Sequence, residues 1–139
     1  MTPQLEDFEG AWRLTRIVAD RRDTPDANFT GSARFTPDGP VLRYVETGRL
    51  EMGETVLEAE QSHLWRMDGN RFRVCFADGR PFHSFDASVL QPEARHDCAP
   101  DLYLVRYDFT AWPAWTAEWT VTGPRKDYVA TSRYSRPDR

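Results

Sequence analysis

Lysine is almost missing from this chain of 139 residues: Lys126 stands alone against 17 arginines. Arginine makes up nearly all the positive charge, yet acids outnumber bases 22 to 18, for a formal net charge of −4. A nucleic-acid module would carry a basic balance and a basic patch, so that class is set aside. Codon usage in a GC-rich genome accounts for a shortage of lysine without invoking function. Cysteine is scarce too. Cys75 and Cys98 are too few for a disulfide framework, and both are expected as free thiols in a reducing cytoplasm. No run of apolar residues comes near the roughly 20 needed to span a bilayer. The opening Met1-Thr-Pro-Gln-Leu-Glu-Asp7 lacks the basic region and apolar stretch of a signal peptide. A cytoplasmic protein without membrane contact is the expectation. Sustained helical periodicity is also missing, as are internal repeats and linkers, so one domain over residues 1–139 is expected.

What the chain has is alternation. Apolar residues make up 40% of it and 18 are aromatic, enough to close a core. From Trp12 onward the period is two. Trp12, Leu14, Arg16 and Val18 share a face, as do Phe29, Gly31, Ala33 and Phe35. Leu42, Tyr44, Glu46, Gly48 and Leu50 form the next face, followed by Leu57, Ala59, Gln61, His63, Trp65 and Met67. Turn signals recur at Pro37-Asp-Gly-Pro40, Asp68-Gly-Asn70, Asp78-Gly79 and Gly123-Pro124. Residues 88–100 are less regular, and the pattern resumes at 102–109, 115–122 and 128–134. Only Pro3–Phe8 reads as a short helical lead-in. The whole is read as an all-β, antiparallel up-and-down barrel of about 8–10 strands with a short N-terminal helical plug. Closure would remove the exposed sheet edges that such a chain otherwise carries.

Phe8-Glu-Gly10-Ala-Trp12 resembles the Gly-x-Trp signature that opens lipocalin-like barrels. That resemblance implies that Trp12 plugs the barrel base and that a late-strand arginine, matched in position by Arg133, covers its ring. Longer strings carry a second likeness: Leu42-Arg-Tyr-x-Glu46-x-Gly48-x-Leu50, Leu64-Trp-Arg66, Phe76-Ala-Asp-Gly-Arg-Pro-Phe-His83, Ala94-Arg-His-Asp-Cys98, and Gly123-Pro-Arg-Lys-Asp-Tyr128. Together they resemble a bacterial family catalogued as domain of unknown function 6314, over residues 8–134. The resemblance implies a small lipocalin-like barrel and brings no ligand, reaction or functional residues.

Polar residues on otherwise apolar faces are the informative ones, because a buried charge is costly unless paired. Arg16, Tyr44, Glu46, His63, Tyr107, Trp119 and Tyr128 are read as the lining of a semi-polar pocket. The plainer alternative pairs Arg16 with Glu46, or leaves both at a wet rim. Arg80, His83 and His96 join the candidate ligand-binding set from the barrel end. Arg80 and Arg125 lie in turns where a guanidinium could fork onto an anion, although the turn itself is the simpler reading.

His83, His96, Asp97, Cys98 and Asp101 are imaginable metal ligands. Only His96-x-Cys98 is tightly spaced, so a hydrogen-bonded loop with His83 satisfied by Asp97 or Asp101 is the expectation, and no metal. Haem would need an inward strand histidine, for which His63 is the candidate; no cofactor is expected. The reading is thus a non-enzymatic binder of a small molecule with an apolar or aromatic body and a polar or anionic group. A small barrel hydrolase or isomerase using His83, His96 and an Asp is the alternative from another class, and a solid-cored interaction protein is the third. The partner expected is a small molecule, neither nucleic acid nor membrane, and a homodimer is open.

Overall fold

A computed structural model describes residues 1–22 and 25–137. Ten strands form a single antiparallel sheet: β1 (Gly10–Asp20), β2 (Ala27–Asp38), β3 (Val41–Met52), β4 (Thr55–Asp68), β5 (Arg71–Phe76), β6 (Pro81–Asp86), β7 (Glu93–Cys98), β8 (Asp101–Asp108), β9 (Trp115–Gly123) and β10 (Lys126–Ser135). The sheet order is β6-β5-β4-β3-β2-β1-β10-β9-β8-β7, so β1 pairs with β10 and the chain curls into an up-and-down barrel. Closure is not complete. β6 and β7 end the hydrogen-bonded order and lie side by side as a seam. Among the described residues no helix is long and apolar enough to cross a membrane.

Alternation places the expected faces inward. Trp12 and Leu14 are fully buried on β1 while Arg13 and Thr15 are exposed, and the same parity holds along β2 and β3. β7 is the strand that the pattern conceals. Glu93-Ala-Arg-His-Asp-Cys98 has only Ala94 as an apolar inward residue, because it borders the seam rather than a packed wall. Val74 and Cys75 are both buried, and the register shift opposite them skips Phe82, which breaks the alternation of β6.

The lead-in is a single 3-10 turn, Leu5–Phe8, that closes the base. It places Phe8, fully buried, against Phe35, Trp65, Phe72, Phe109, Trp112 and Trp115, with ring centroids 4.9–5.8 Å apart. Trp12 Nε1 donates to the Phe8 carbonyl at 2.8 Å, which fixes the indole under the plug. The arginine over Trp12 is not Arg133. Arg133 shares the parity of Thr131 and Ser135 and is exposed on the outer face, opposite Thr15 and Thr116. Arg136, two positions beyond the inward Tyr134, has its guanidinium 3.7 Å from the Trp12 ring centroid. It also donates to the carbonyls of Asp7, Glu9 and Ala11, so it ties plug, first strand and last strand together.

One close approach shapes the wall. Gly31 and Gly48 face each other across β2 and β3, and a Cβ on Gly48 would lie 2.4 Å from the Thr30 carbonyl oxygen. Only glycine lets the two backbones meet there.

Candidate functional site

Above the base the inward residues shrink. Ala27, Gly31, Gly48, Ala59, Ala117, Ala130 and Ser132 all lie on inward faces of their strands. Small side chains cannot fill a ten-stranded barrel, and a cavity of about 610 Å³ opens toward the mouth. Its size lies in the range of pockets that hold cofactors and drug-sized molecules.

Eight of the residues singled out in the sequence line it: Arg16, Tyr44, Glu46, His63, His83, Tyr107, Trp119 and Tyr128. Two do not. Arg80 is exposed in the turn after Gly79, where its Nε donates to Asp78 Oδ2 at 2.7 Å. His96 on β7 packs edge-on against Phe76 and Phe82 at the rim, with centroids 5.6 and 5.1 Å away. Arg125 likewise stays in its turn, where its carbonyl accepts from Arg22 Nη1.

The polar centre is a charge pair with two phenols. Arg16 grips Glu46 with both terminal nitrogens, at 2.7 and 2.9 Å, and its Nε donates to Ser132 Oγ at 2.6 Å. Tyr44 donates to Glu46 Oε1 at 2.7 Å, which leaves Tyr134 to donate to Tyr44 at 2.7 Å. Burial works to raise the Glu46 pKa, but the Arg16 guanidinium outweighs it and holds the carboxylate below its ordinary value. Burial likewise opposes the Arg16 charge, and the Glu46 hydrogen bonds more than restore it. Tyr44 stays protonated, its pKa pushed up chiefly by burial. Arg16 and Glu46 therefore satisfy each other, which is the alternative to a free guanidinium waiting for an anion.

The second polar group surrounds His83. This histidine lies inward on β6, 6% exposed. Its Nε2 meets the Tyr107 hydroxyl at 2.7 Å, so its partner is Tyr107 and neither Asp97 nor Asp101. Asp97 is held by Arg95, and Asp101 sits 3.3 Å from Lys126 Nζ. Burial, with smaller repulsions from His63 and His96, takes the His83 pKa down to about 3, so the ring is neutral at neutral pH. His63 is lowered too, again mainly by burial. Among the described residues no three of His, Cys, Asp and Glu converge as metal ligands. His83 and His96 share no carboxylate, so the acid–base trio of the enzyme reading is not assembled.

Aromatic side chains build the rest. Phe82 stacks on Trp119 at 5.1 Å with planes 5° apart, and on Phe76 at 4.4 Å. These rings clasp the seam where backbone hydrogen bonds between β6 and β7 are missing. Outside the same seam runs a second depression of about 670 Å³, bordered by Arg71, Arg73, Arg95 and Arg106. Those cations are already engaged, Arg73 by Asp68, Arg95 by Asp97, Arg106 by Glu93 and Arg71 by the Ser84 hydroxyl. Sequence reasoning missed Ser132 and Tyr134, although both lie on an inward face with Ala130, and it missed Trp115.

A family model described as a family of unknown function (DUF6314) matches residues 8–136. No curated protein matches the chain. Among solved structures, the S-type phycobiliprotein lyase CPES from Guillardia theta superposes with a TM-score of 0.68 at 10% identity, over 97% of this chain and 91% of that one. A protein of unknown function of the DUF3598 family from Nostoc punctiforme gives a TM-score of 0.57 at 11% identity. It is covered to 48% of its length by 96% of this chain. At such identities the likeness shows a shared barrel.

Proposed function

Because the chain belongs to the DUF6314 family, whose function is open, its work must be argued from the barrel, and we propose that it binds a small molecule non-covalently in the upper half. The observation that carries this reading is the coexistence of a roughly 610 Å³ cavity with small inward residues and an internally satisfied polar centre. A barrel selected only to pack would fill that space with the bulky rings it uses at the base. The occupant would have an apolar or aromatic body, because Phe29, Trp65, Phe82, Trp119 and Tyr107 supply flat contact surface. It would carry a polar group to meet the few polar atoms on the wall. The phycobiliprotein lyase neighbour supports a ligand-holding use of this architecture without specifying what this chain holds.

Titration of the full chain with prodan, a neutral naphthalene ketone whose emission reports its surroundings, tests the reading. One saturable site with blue-shifted emission is expected, and displacement of the probe by the natural occupant follows from it. A chain that takes up no probe and carries no bound small molecule would contradict the proposal.

A further inference from the structure

Among the described residues, two buried side-chain nitrogens have no hydrogen-bond partner. They are Nε1 of Trp115 and Nδ1 of His83, on side chains that both line the cavity. The indole N–H can only donate. The state of the His83 ring follows from its neighbour. Burial keeps His83 neutral and raises the Tyr107 pKa, so one hydrogen lies between Nε2 and the Tyr107 oxygen. If Nε2–H donated, the Tyr107 hydrogen and the Nδ1 lone pair would both be stranded. If Tyr107 donates to Nε2, only Nδ1–H is left over. An unmade hydrogen bond on a buried group costs about 1–3 kcal/mol, so the second arrangement prevails. Two side chains of the lining then each carry an N–H donor without a partner.

Charge points the same way. An anion taken out of water needs a cation of its own, and the Arg16 charge is already balanced by Glu46. The other ionised side chain on the lining, Glu60, is an acid. We propose that the occupant is a neutral, flat, conjugated molecule whose hydrogen-bond acceptors, carbonyl oxygens or ring nitrogens, are received by His83 Nδ1–H and Trp115 Nε1–H. This rests on the cavity being the ligand site. It narrows the expected polar or anionic handle to a neutral acceptor, and it makes His83 and Trp115 the residues that set specificity.

The test compares prodan with anilinonaphthalene sulfonate, a probe of similar body that carries an anion. Prodan should bind the full chain at least tenfold more tightly. Nitrogen-15 spectra of the wild-type protein should show His83 in the Nδ1–H tautomer, and the Trp115 or His83 N–H signal should move downfield on saturation with prodan. His83→Asn keeps an N–H near the place of Nδ1 and should retain prodan binding, whereas His83→Phe should weaken it about tenfold. Equal or tighter binding of the sulfonate, or N–H signals that ignore bound prodan, would overturn the neutral-acceptor assignment while leaving the cavity reading intact. Failure of both probes to bind a chain that also carries no bound small molecule would overturn the cavity reading and this assignment with it.

Discussion

The two halves of this barrel are made by the same strands in the same alternation, yet one is solid and the other hollow. At the base the inward positions carry Phe8, Trp12, Phe35, Trp65, Phe72, Phe85, Phe109 and Trp115, each buried to within 4% of full exclusion from water. Toward the mouth the same strands turn Ala27, Gly31, Gly48, Ala59, Ala117, Ala130 and Ser132 inward. Backbone geometry alone does not decide whether a barrel encloses space. The volumes of alternate residues decide it, and here small ones enter on β2, β3, β4, β9 and β10. The base supplies stability, and it frees the upper half to keep polar atoms that packing would have excluded.

The sharpest break of that contrast comes from the base. Phe8→Ala removes a fully buried ring from the centre of the plug and should cost about 3–5 kcal/mol of unfolding free energy. Urea denaturation checks this, and the folded fraction should still bind prodan. Next comes the polar centre. Glu46→Gln leaves the Arg16 charge without its counterion in the barrel and should cost about 3 kcal/mol. Combining it with Arg16→Met should recover at least half of that loss, because the cost is an orphaned charge rather than a lost contact.

Acid should strain the hollow half before the solid one. The folded-state pKa of His83 is depressed to about 3, so the unfolded chain binds a proton from pH 6.5 downward that the native state refuses. The His83 contribution is therefore complete above pH 6.5 and declines as pH falls toward 3, at up to about 1.4 kcal/mol per pH unit. His63 is shifted in the same direction. Glu46, whose pKa is lowered below 4.5, adds its own loss only in stronger acid. Stability measured from pH 7 to 5 should thus fall in the wild type and fall less steeply in His83→Phe. The smallest effect belongs to the cap of the base. Arg136→Lys should cost about 0.5–1 kcal/mol through the weakened contact with the Trp12 ring, whereas Arg133→Lys should change stability by less than about 0.5 kcal/mol.

Period-two alternation made nearly every strand and inward face legible in the sequence, because a half-buried strand must write its parity into its residues. Where the wall is not packed, the writing fades. β7 faces the seam with Ala94 and His96 and carries too little apolar signal to be seen. The shift opposite Val74/Cys75 skips Phe82, so two consecutive residues, Phe82 and His83, both line the cavity, and no alternation rule anticipates that. Arg136 was out of reach for a similar reason, since it sits just past the last strand, where position in a motif pointed to Arg133. The site was legible as a set: polar residues on apolar faces marked Arg16, Glu46 and His63. The Arg16–Glu46 pair was legible as the plainer alternative, whereas the Tyr134–Tyr44 and His83–Tyr107 contacts were not, because they depend on how ten strands curl. His83 lies in a run that alternation reads as a strand, but its place on the cavity wall was missed because the register shift skips Phe82, and Phe82 and His83 both line the cavity.

The central claim is that the upper half holds a small molecule in space that its small side chains leave open. Native mass measurement of freshly purified wild type and Ala130→Phe tests it most directly, since Ala130 is an inward residue that lines that space. The account predicts an excess mass on the wild type that denaturation releases, and none on Ala130→Phe, with stability changed by less than about 1–3 kcal/mol. An identical excess on both chains, or a wild type that carries no excess and binds no added probe, would contradict it.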